Sequence, residues 1–457
     1  MRPAVIIGGG ISGLAAAYHL AKAGIECTLI ERQHRLGGVI ETERLAGCVI
    51  ETGPDSFLSQ KPWAMELIRE LGLAEEVIGS NDHLRVTYVW KKGRLVPLPD
   101  GLMLMIPTRV LPMITTGLLG WGTKLRMGLE WFRRPRAGNG GDRSVAEFVA
   151  DHYGVEAVDY LAEPLLAGIY GGDPGKLSVA SVLPRFVELE KKYGSLTRGV
   201  LAARRRMAEG EGRGLPLFQT LKGGLSQLVG ALVEAAGEKM ERLHGRAETL
   251  ERHGEGFRVG VGGQWLEARH VVLACQAYQA GEVAAGLDPE LGALLSSVPY
   301  SSSITISLGY ERRSLNHRLN GFGFLVPKRE RRRLAACTWL GTKFSHRVPE
   351  HMAVLRCFVG GEEPTNDEDL VAAVREELRA IMGVDAEPVF ARVARWPRSM
   401  AQYSVGHGER VARIEARLAR LPGLHLAGNA YYGIGVPDCI RMGRQAAERI
   451  AAAWSAG

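Results

Sequence analysis

The chain has 457 residues, 46% of them hydrophobic and 23% charged, with a formal net charge of +7. That balance is the one globular proteins show and excludes a disordered or collagenous chain, while the length calls for two or three domains. Six cysteines with no C-x-x-C pair signal neither a zinc site nor a redox dithiol, and a reducing cytosolic setting fits them.

Ala4 to Ile7 is an apolar run of strand character. Gly8, Gly10 and Gly13 follow at G-x-G-x-x-G spacing, Leu14 to Ala23 reads as an Ala-rich helix ended by Gly24, and Glu26 to Glu31 reads as a strand with an acid at its tip. One glycine turns the chain, one admits a pyrophosphate, and one lets helix pack on strand. The helix N-terminus offers unpaired N–H groups, and Glu31 stands where a carboxylate takes ribose hydroxyls. No secretory signal precedes this turn.

Past Glu31, Gly37-Gly38 and then Glu51-Thr-Gly-Pro-Asp-Ser-Phe57 add glycine turns where an NAD domain would continue with another β-α unit. The pattern points to a long dinucleotide lying extended under two loops, as FAD does. Pro62 to Leu71 is an expected helix, and Arg85 to Trp90 with Arg94 to Leu98 an expected hairpin about Lys92-Gly93. Gly101 to Gly122 is almost wholly apolar, yet Pro107, Pro112, Gly117 and Gly120 break it. It reads as core or cavity wall of a helical subdomain, the alternative being a patch that dips into one leaflet. Helices are expected over Lys124 to Arg134, Ser144 to Tyr153 and Val155 to Leu166, with linkers at Ala137 to Gly141 and Ala208 to Gly214.

A β-meander over Phe257 to Ala268, the strands Ser301 to Gly309, Gly323 to Pro327, Ala335 to Leu340 and Ala353 to Gly360, and a helix at Asp367 to Met382 make a second sheet region. Near the other end a strand at Leu424 runs into a Gly turn and a closing helix to Trp454, so one cofactor domain is expected to draw on both ends of the chain. The basic runs Arg133–Arg136, Arg204–Arg206 and Lys328–Arg333 are short, read as solvated faces, and accompany no nucleic-acid motif. There is no G-x-S-x-G, no H-E-x-x-H, and the twelve histidines are dispersed. Without a hydrolytic constellation, the hard chemistry falls to the cofactor.

Taken whole, the sequence resembles the FAD-dependent protoporphyrinogen/coproporphyrinogen oxidases of bacterial haem synthesis, within the monoamine-oxidase-like flavoproteins. The stretches that carry the likeness are Gly8 to Gly13, Glu51 to Phe57, Glu163 to Asp173, Gly321 to Pro327, Cys337-Thr-Trp339, Gln402 to His407 and Gly433 to Ile440. Two departures stand out: Ala401 precedes Gln402-Tyr403 where the family has proline, and the closing Gly-acid turn is Gly428-Asn429. The resemblance implies an α/β, p-cresol-methylhydroxylase-like architecture. Its parts are a Rossmann-type FAD domain (1–60, 216–295, 406–457), a mixed-sheet substrate domain (61–90, 186–215, 296–405) and a helical domain (91–185) that carries membrane contact in relatives.

It also implies removal of six electrons from a porphyrinogen in three hydride transfers, with O2 as final acceptor giving H2O2, and no dedicated catalytic residue. FAD would lie along Gly8, Gly9, Gly10, Ile11, Ser12, Gly13, Glu31, Arg32, Arg35, Gly38, Gly53, Pro54, Asp55 and Ser56. Ala247, Trp396, Gly428, Ile434, Gly435 and Val436 would complete its lining. Asp55, Lys61 and Ile169 match the substrate pocket, with Lys61 able to meet a propionate or, alternatively, simply solvated. No metal and no nucleic acid are expected; a cytoplasmic location, peripheral membrane contact and hand-off to a ferrochelatase are. The rival readings are an amine or polyamine oxidase, whose lysine near the flavin is missing from Ser301 to Gly309, a carotenoid desaturase, and a non-catalytic FAD scaffold.

Overall fold

A computed structural model describes residues 1–135, 141–208, 215–361 and 365–456, so most of both expected linkers lies outside the described residues. The chain opens with β1 (Arg2–Ile7), α1 (Ile11–Lys22) and β2 (Cys27–Glu31), and Gly24 (φ +79°) follows the helix as expected. Ala4, Val5, Ile6 and Leu29 are buried, because β1 is central to a parallel sheet covered on its faces. β1 lies between β2 and the C-terminal half of Gln264–Leu273; beyond these come Met240–His244 on the β2 side and Leu424–Leu426 on the other. The expected meander, Gly256–Val261 with the first half of Gln264–Leu273, is antiparallel and gains a further strand, Ala247–His253. The sheet therefore draws on the start, middle and end of the chain.

The last helix, Val436–Ala456, packs along α1, and a Cβ at Gly443 would lie 2.2 Å from the Ser12 carbonyl oxygen. Only glycine permits so close an approach of the two backbones.

The second sheet has seven strands, in the spatial order Phe390–Ala401, Tyr300–Glu311, Met352–Gly360, Leu334–Trp339, Gly323–Leu325, Thr87–Lys91 and Arg94–Pro97. The expected boundary at residue 91 falls inside this last hairpin, both strands of which belong to the sheet. Strand alternation gives the sheet two faces. Ile304, Ile306 and Leu308 pack with Leu370, Val374 and Leu378 of helix Asp367–Met382, which forms a separate core. Ser303, Thr305 and Ser307 turn to the other side, towards the glycine turns of the first domain, and Thr305 Oγ1 donates 2.6 Å to the Thr52 carbonyl.

The helical region runs on past residue 185 through Pro184–Tyr193 and Leu196–Ala208. Glu130, buried, ties it together: it accepts from Leu196 N (2.6 Å) and Ser195 Oγ (2.9 Å) and meets His152 Nδ1 at 3.0 Å, while His152 Nε2 meets Glu190 at 3.1 Å. Ser144 and Glu147 close a capping box on Val145–Tyr153.

The basic run at 328–333 is exposed at Lys328, Arg329, Arg332 and Arg333, and three of its side chains are also paired: Lys328, Arg329 and Arg331 meet Asp173, Asp159 and Glu163 of the helical region at 2.8–2.9 Å. Arg133 likewise pairs with Asp151 (3.0 Å) and Arg204 donates to Thr108 (2.7 Å), while Arg136 and the side chain of Arg206 lie outside the described residues. The stretch at 101–122 is divided: Met105, Ile106, Met113, Leu118 and Leu119 are core, but Val110, Leu111 and Trp121 are exposed. Among the described residues no helix is long and apolar enough to cross a membrane.

Candidate cofactor site

The site starts at the β1–α1 turn. Gly8 (φ +113°) has no room for a Cβ, which would sit 2.7 Å from the Ala274 carbonyl oxygen, and one on Gly13 would lie 1.9 Å from Gly8 O. At Gly10 a Cβ would meet nothing within 4 Å, so the turn faces open space there. Among the described residues the N–H groups of Gly10 and Ser12 have no acceptor, at the positive end of α1, which is a ready anion site. Glu31 braces this turn: one carboxylate oxygen accepts from Gly9 N (2.7 Å) and the other from Gln33 N (2.8 Å). A carboxylate has further lone pairs, so ribose hydroxyls remain within its capacity. Ala247 opens a strand just beyond Gly245, whose N–H donates 2.9 Å to Glu31 O, which places it at the same end of the sheet. Arg32 there faces Gln279 of helix Ala277–Ala284, 2.7 Å away once that amide is turned to accept.

From this turn a track of glycines leads to the second sheet. Gly37 N donates to Gly9 O (2.8 Å), and a Cβ on Gly38 would stand 3.2 Å from Gly10 Cα. Arg35 is spent on this loop, donating to the carbonyls of Leu36, Gly38 and Ile40 and pairing with Glu41. Val39 O would be 1.8 Å from a Cβ on Gly53. In the next turn, Thr52 O accepts from Thr305 Oγ1 and Trp396 Nε1 (2.8 Å), and Gly53 O accepts from Arg356. The carbonyls are thus anchored in the second sheet, while the N–H groups of Gly53, Asp55 and Ser56, on either side of Pro54, have no acceptor among the described residues. Such successive free N–H groups form an anion-accepting concavity.

Asp55 is held on the sheet side by Lys343 (2.9 Å), Arg356 (3.4 Å) and Ser56 Oγ (2.6 Å). Burial works to raise its pKa, but the two cations outweigh it and keep the carboxyl well below the ordinary range.

The closing segment completes the far end. Gly428 and Gly433 have φ of +141° and +128°, and Tyr403 OH bridges them, donating to Asn429 O (2.9 Å) and accepting from Gly433 N (2.7 Å). Asn429, the departure from the family turn, donates to Ser399 O at 3.0 Å. Ile434 and Gly435 lead into Val436, the first residue of the last helix. Asp438, buried in its first turn, accepts from Gly435 N (3.2 Å) and pairs with Lys61 Nζ at 2.5 Å. The Tyr170 phenol is pushed up to about 12 by burial and then by Asp438.

Of the expected substrate residues, Lys61 lies at Asp438 and Asp55 at Lys343, while Ile169 stands beside Tyr170, whose carbonyl accepts from Gln402 Nε2 (2.7 Å). Ile169 itself is 47% exposed. The sequence reading missed Lys343, Arg356, Tyr403 and Asp438. Tyr403 and Asp438 lie in stretches that carry the resemblance; nothing local marks the other two. An open cradle, unpaired N–H groups and a bracing acid in one line fit an extended FAD.

The model of flavin-containing amine oxidoreductases matches residues 11–451. The coproporphyrinogen III oxidase of Bacillus subtilis (strain 168) is 35% identical over 97% of this chain and 96% of its own. That of Staphylococcus aureus (strain NCTC 8325 / PS 47) is 32% identical over 98% of both. A crystallised protein from Exiguobacterium sp. 255-15 superposes with a TM-score of 0.85 at 32% identity, covering 98% of each chain. Cyclohexylamine oxidase from Brevibacterium oxydans IH-35A shares the fold alone, with a TM-score of 0.70 at 20% identity over 99% of each. With its glycine track, its two sheets and a match over nearly its whole length, the chain belongs to the flavin-containing amine oxidoreductase family.

Proposed function

We propose that this protein is an FAD-dependent porphyrinogen oxidase that converts coproporphyrinogen III to coproporphyrin III, with protoporphyrinogen IX as a second substrate. The observation that carries the reading is near full-length likeness, at 31–35% identity, to seven bacterial proteins named coproporphyrinogen III oxidase, against fold likeness alone to amine oxidases. FAD would be held by the turns at Gly8–Ser12, Gly37–Gly38, Gly53–Ser56 and Gly433–Val436. When bound, it would supply a hydride acceptor for three two-electron rounds, the electrons passing on to O2 to give H2O2. The protein's own part is to position and shield. Trp396 and Thr305 fix the Thr52 carbonyl, Tyr403 locks the Gly428–Gly433 loop, and the Tyr170 hydroxyl stays protonated at neutral pH. Lys61 and Ile169 face the substrate, and no side chain is assigned as acid or base.

The first sheet is the cofactor domain, the second the substrate domain, and the helical region covers the site. The exposed Val110, Leu111, Trp121, Leu125 and Phe132, with Lys124 and Arg126 among them, support a cytoplasmic protein whose helical region touches anionic membrane. Product then passes to a ferrochelatase. Anaerobic mixing with each porphyrinogen tests the activity: bleaching of the flavin, then porphyrin fluorescence on admitting air, is expected, and no bleaching with either refutes it. Co-sedimentation with anionic vesicles, lost in Leu111→Asp/Trp121→Asp, tests the membrane contact.

A further inference from the structure

We propose that Lys343 and Arg356, clustered with Asp55 behind the Thr52–Ser56 turn, are positioning residues whose surplus positive charge makes a flavin held on that turn easier to reduce. The inference rests on the FAD reading above.

Five buried or nearly buried charges meet here: Lys343, Arg347 and Arg356 against Glu51 and Asp55, with side-chain exposures of 11, 1, 3, 1 and 13%. Arg347 and Glu51 close a pair at 2.9 Å, and Arg347 also donates to Thr220 and to Leu221 O. That leaves Lys343 and Arg356 sharing one carboxylate. Lys343 Nζ donates to both Asp55 oxygens (3.1 and 2.9 Å), while Arg356 approaches Asp55 at 3.4 Å and donates to Gly53 O. Arg356 Nε finds no acceptor among the described residues. Lys61 and Asp438, at the other end of the site, cancel each other and do not supply the missing anion.

A buried cation without its counter-charge is costly. The surplus becomes useful when negative charge arrives beside it. A flavin that accepts a hydride gains two electrons and one proton, hence one negative charge, and charge placed near its ring is a lever the protein has over its potential. The carbonyls of the turn are pulled back into the sheet by Thr305, Trp396 and Arg356, so the face left towards the track carries N–H groups. Dipoles and cations act in one direction there. A unit charge a few ångströms behind the turn, at the effective dielectric of a protein interior, changes such an equilibrium by tenfold or more.

Lys343→Met leaves Asp55 and Arg356 as a neutral pair. In the holoenzyme, equilibrium reduction against a reference dye should show the two-electron equilibrium shifted at least tenfold against reduction, a potential lower by about 30 mV. Lys343→Arg should keep the wild-type potential. Sulfite gives a second reading: its sulfur lone pair adds to the oxidised flavin with no leaving group, the ring takes up the negative charge, and binding should weaken by the same factor in Lys343→Met. If that variant loses FAD, Lys343→Gln serves in its place. A wild-type potential and sulfite affinity in a flavin-loaded Lys343→Met or Lys343→Gln enzyme overturns the proposal. So does a raised KM at unchanged potential, which would assign Lys343 to a substrate carboxylate. Wild-type protein that holds no flavin defeats the FAD reading itself, a different failure.

Discussion

Lys61 has two claimants, and a mutant cycle separates them. Its ammonium sits 2.5 Å from Asp438 with 39% of the side chain exposed, while the Asp438 side chain is only 4% exposed. Among the described residues, Lys61→Met therefore leaves a nearly buried carboxylate with the Gly435 N–H as its remaining hydrogen-bond partner, a loss of about 1–3 kcal/mol in stability. Lys61→Met/Asp438→Asn should recover most of it. The coupling expected is about 1–2 kcal/mol, at the low end for a buried pair because the lysine is partly solvated.

The substrate side is read by KM. A direct charge-assisted bond to a propionate is worth about 1.5–3 kcal/mol, or roughly 10–150-fold. Since the ammonium is already shared with Asp438, about tenfold is expected for Lys61→Met on coproporphyrinogen III. Asp438→Asn, which frees the ammonium, should lower KM for the same substrate. Thermal unfolding followed by tryptophan fluorescence and steady-state kinetics on both porphyrinogens supply the two readouts. An uncoupled cycle, or Lys61→Met with unchanged KM on both substrates, refutes the reasoning.

Three further outcomes follow from the fold. Gly443→Ala drives a methyl against Ser12 O and should cost more than the about 1–3 kcal/mol usual for overpacking, with loss of flavin; a wild-type melting point and full flavin content would show the helices free to part. Flavin should leave the protein on acid precipitation, as Glu31→Ala should weaken its retention by about 1–3 kcal/mol by removing the brace at Gly9 and Gln33; FAD titration of the apoprotein checks this, and unchanged affinity counts against it. His425, lowered to about 4 by burial and then by His270 and Arg449, is neutral in the fold but titrates near 6.5 when unfolded, so its stability contribution is complete above pH 6.5 and is lost as pH falls towards 4. The full loss is about 3 kcal/mol, and pH-dependent melting of His425→Phe, which should be flatter than wild type, tests it.

What the sequence made legible was local. The strand–glycine turn–helix at Gly8 to Gly13, the helix at Asp367 to Met382 and the polar-apolar alternation at Ser303 to Leu308 are each written in one continuous short stretch, and each folds as its period demands. Phe390–Ala401 was missed because Pro397 and three arginines argue against a strand, yet it is an edge strand, where proline and charge are tolerated, and Arg392 is taken up by Glu43 at 2.7 Å. Arg356 interrupts the apolar run Val354 to Val359, a pattern that alone says only that it faces away from the core; its partner Asp55 is 301 positions earlier. The same holds for Lys328 to Arg331, whose acids stand more than 150 residues upstream. Periodicity finds elements, but a charge with a distant partner looks the same as one in water.

The interleaving of the first sheet has a consequence for how the protein is born. β1, α1 and β2 are made early, but the strand on the other side of β1, Gln264–Leu273, and the helix that packs along α1, Val436–Ala456, lie hundreds of residues later. At 5–20 residues per second, roughly 400 residues of synthesis take about 20–80 s. Throughout that interval the apolar flank of α1 has no mate, and the cradle for the cofactor has one wall. Flavin capture therefore waits until Val436–Ala456 has been made, and a chain cut between Ala401 and Gly443 keeps every strand of the second sheet but lacks the helix that packs along α1.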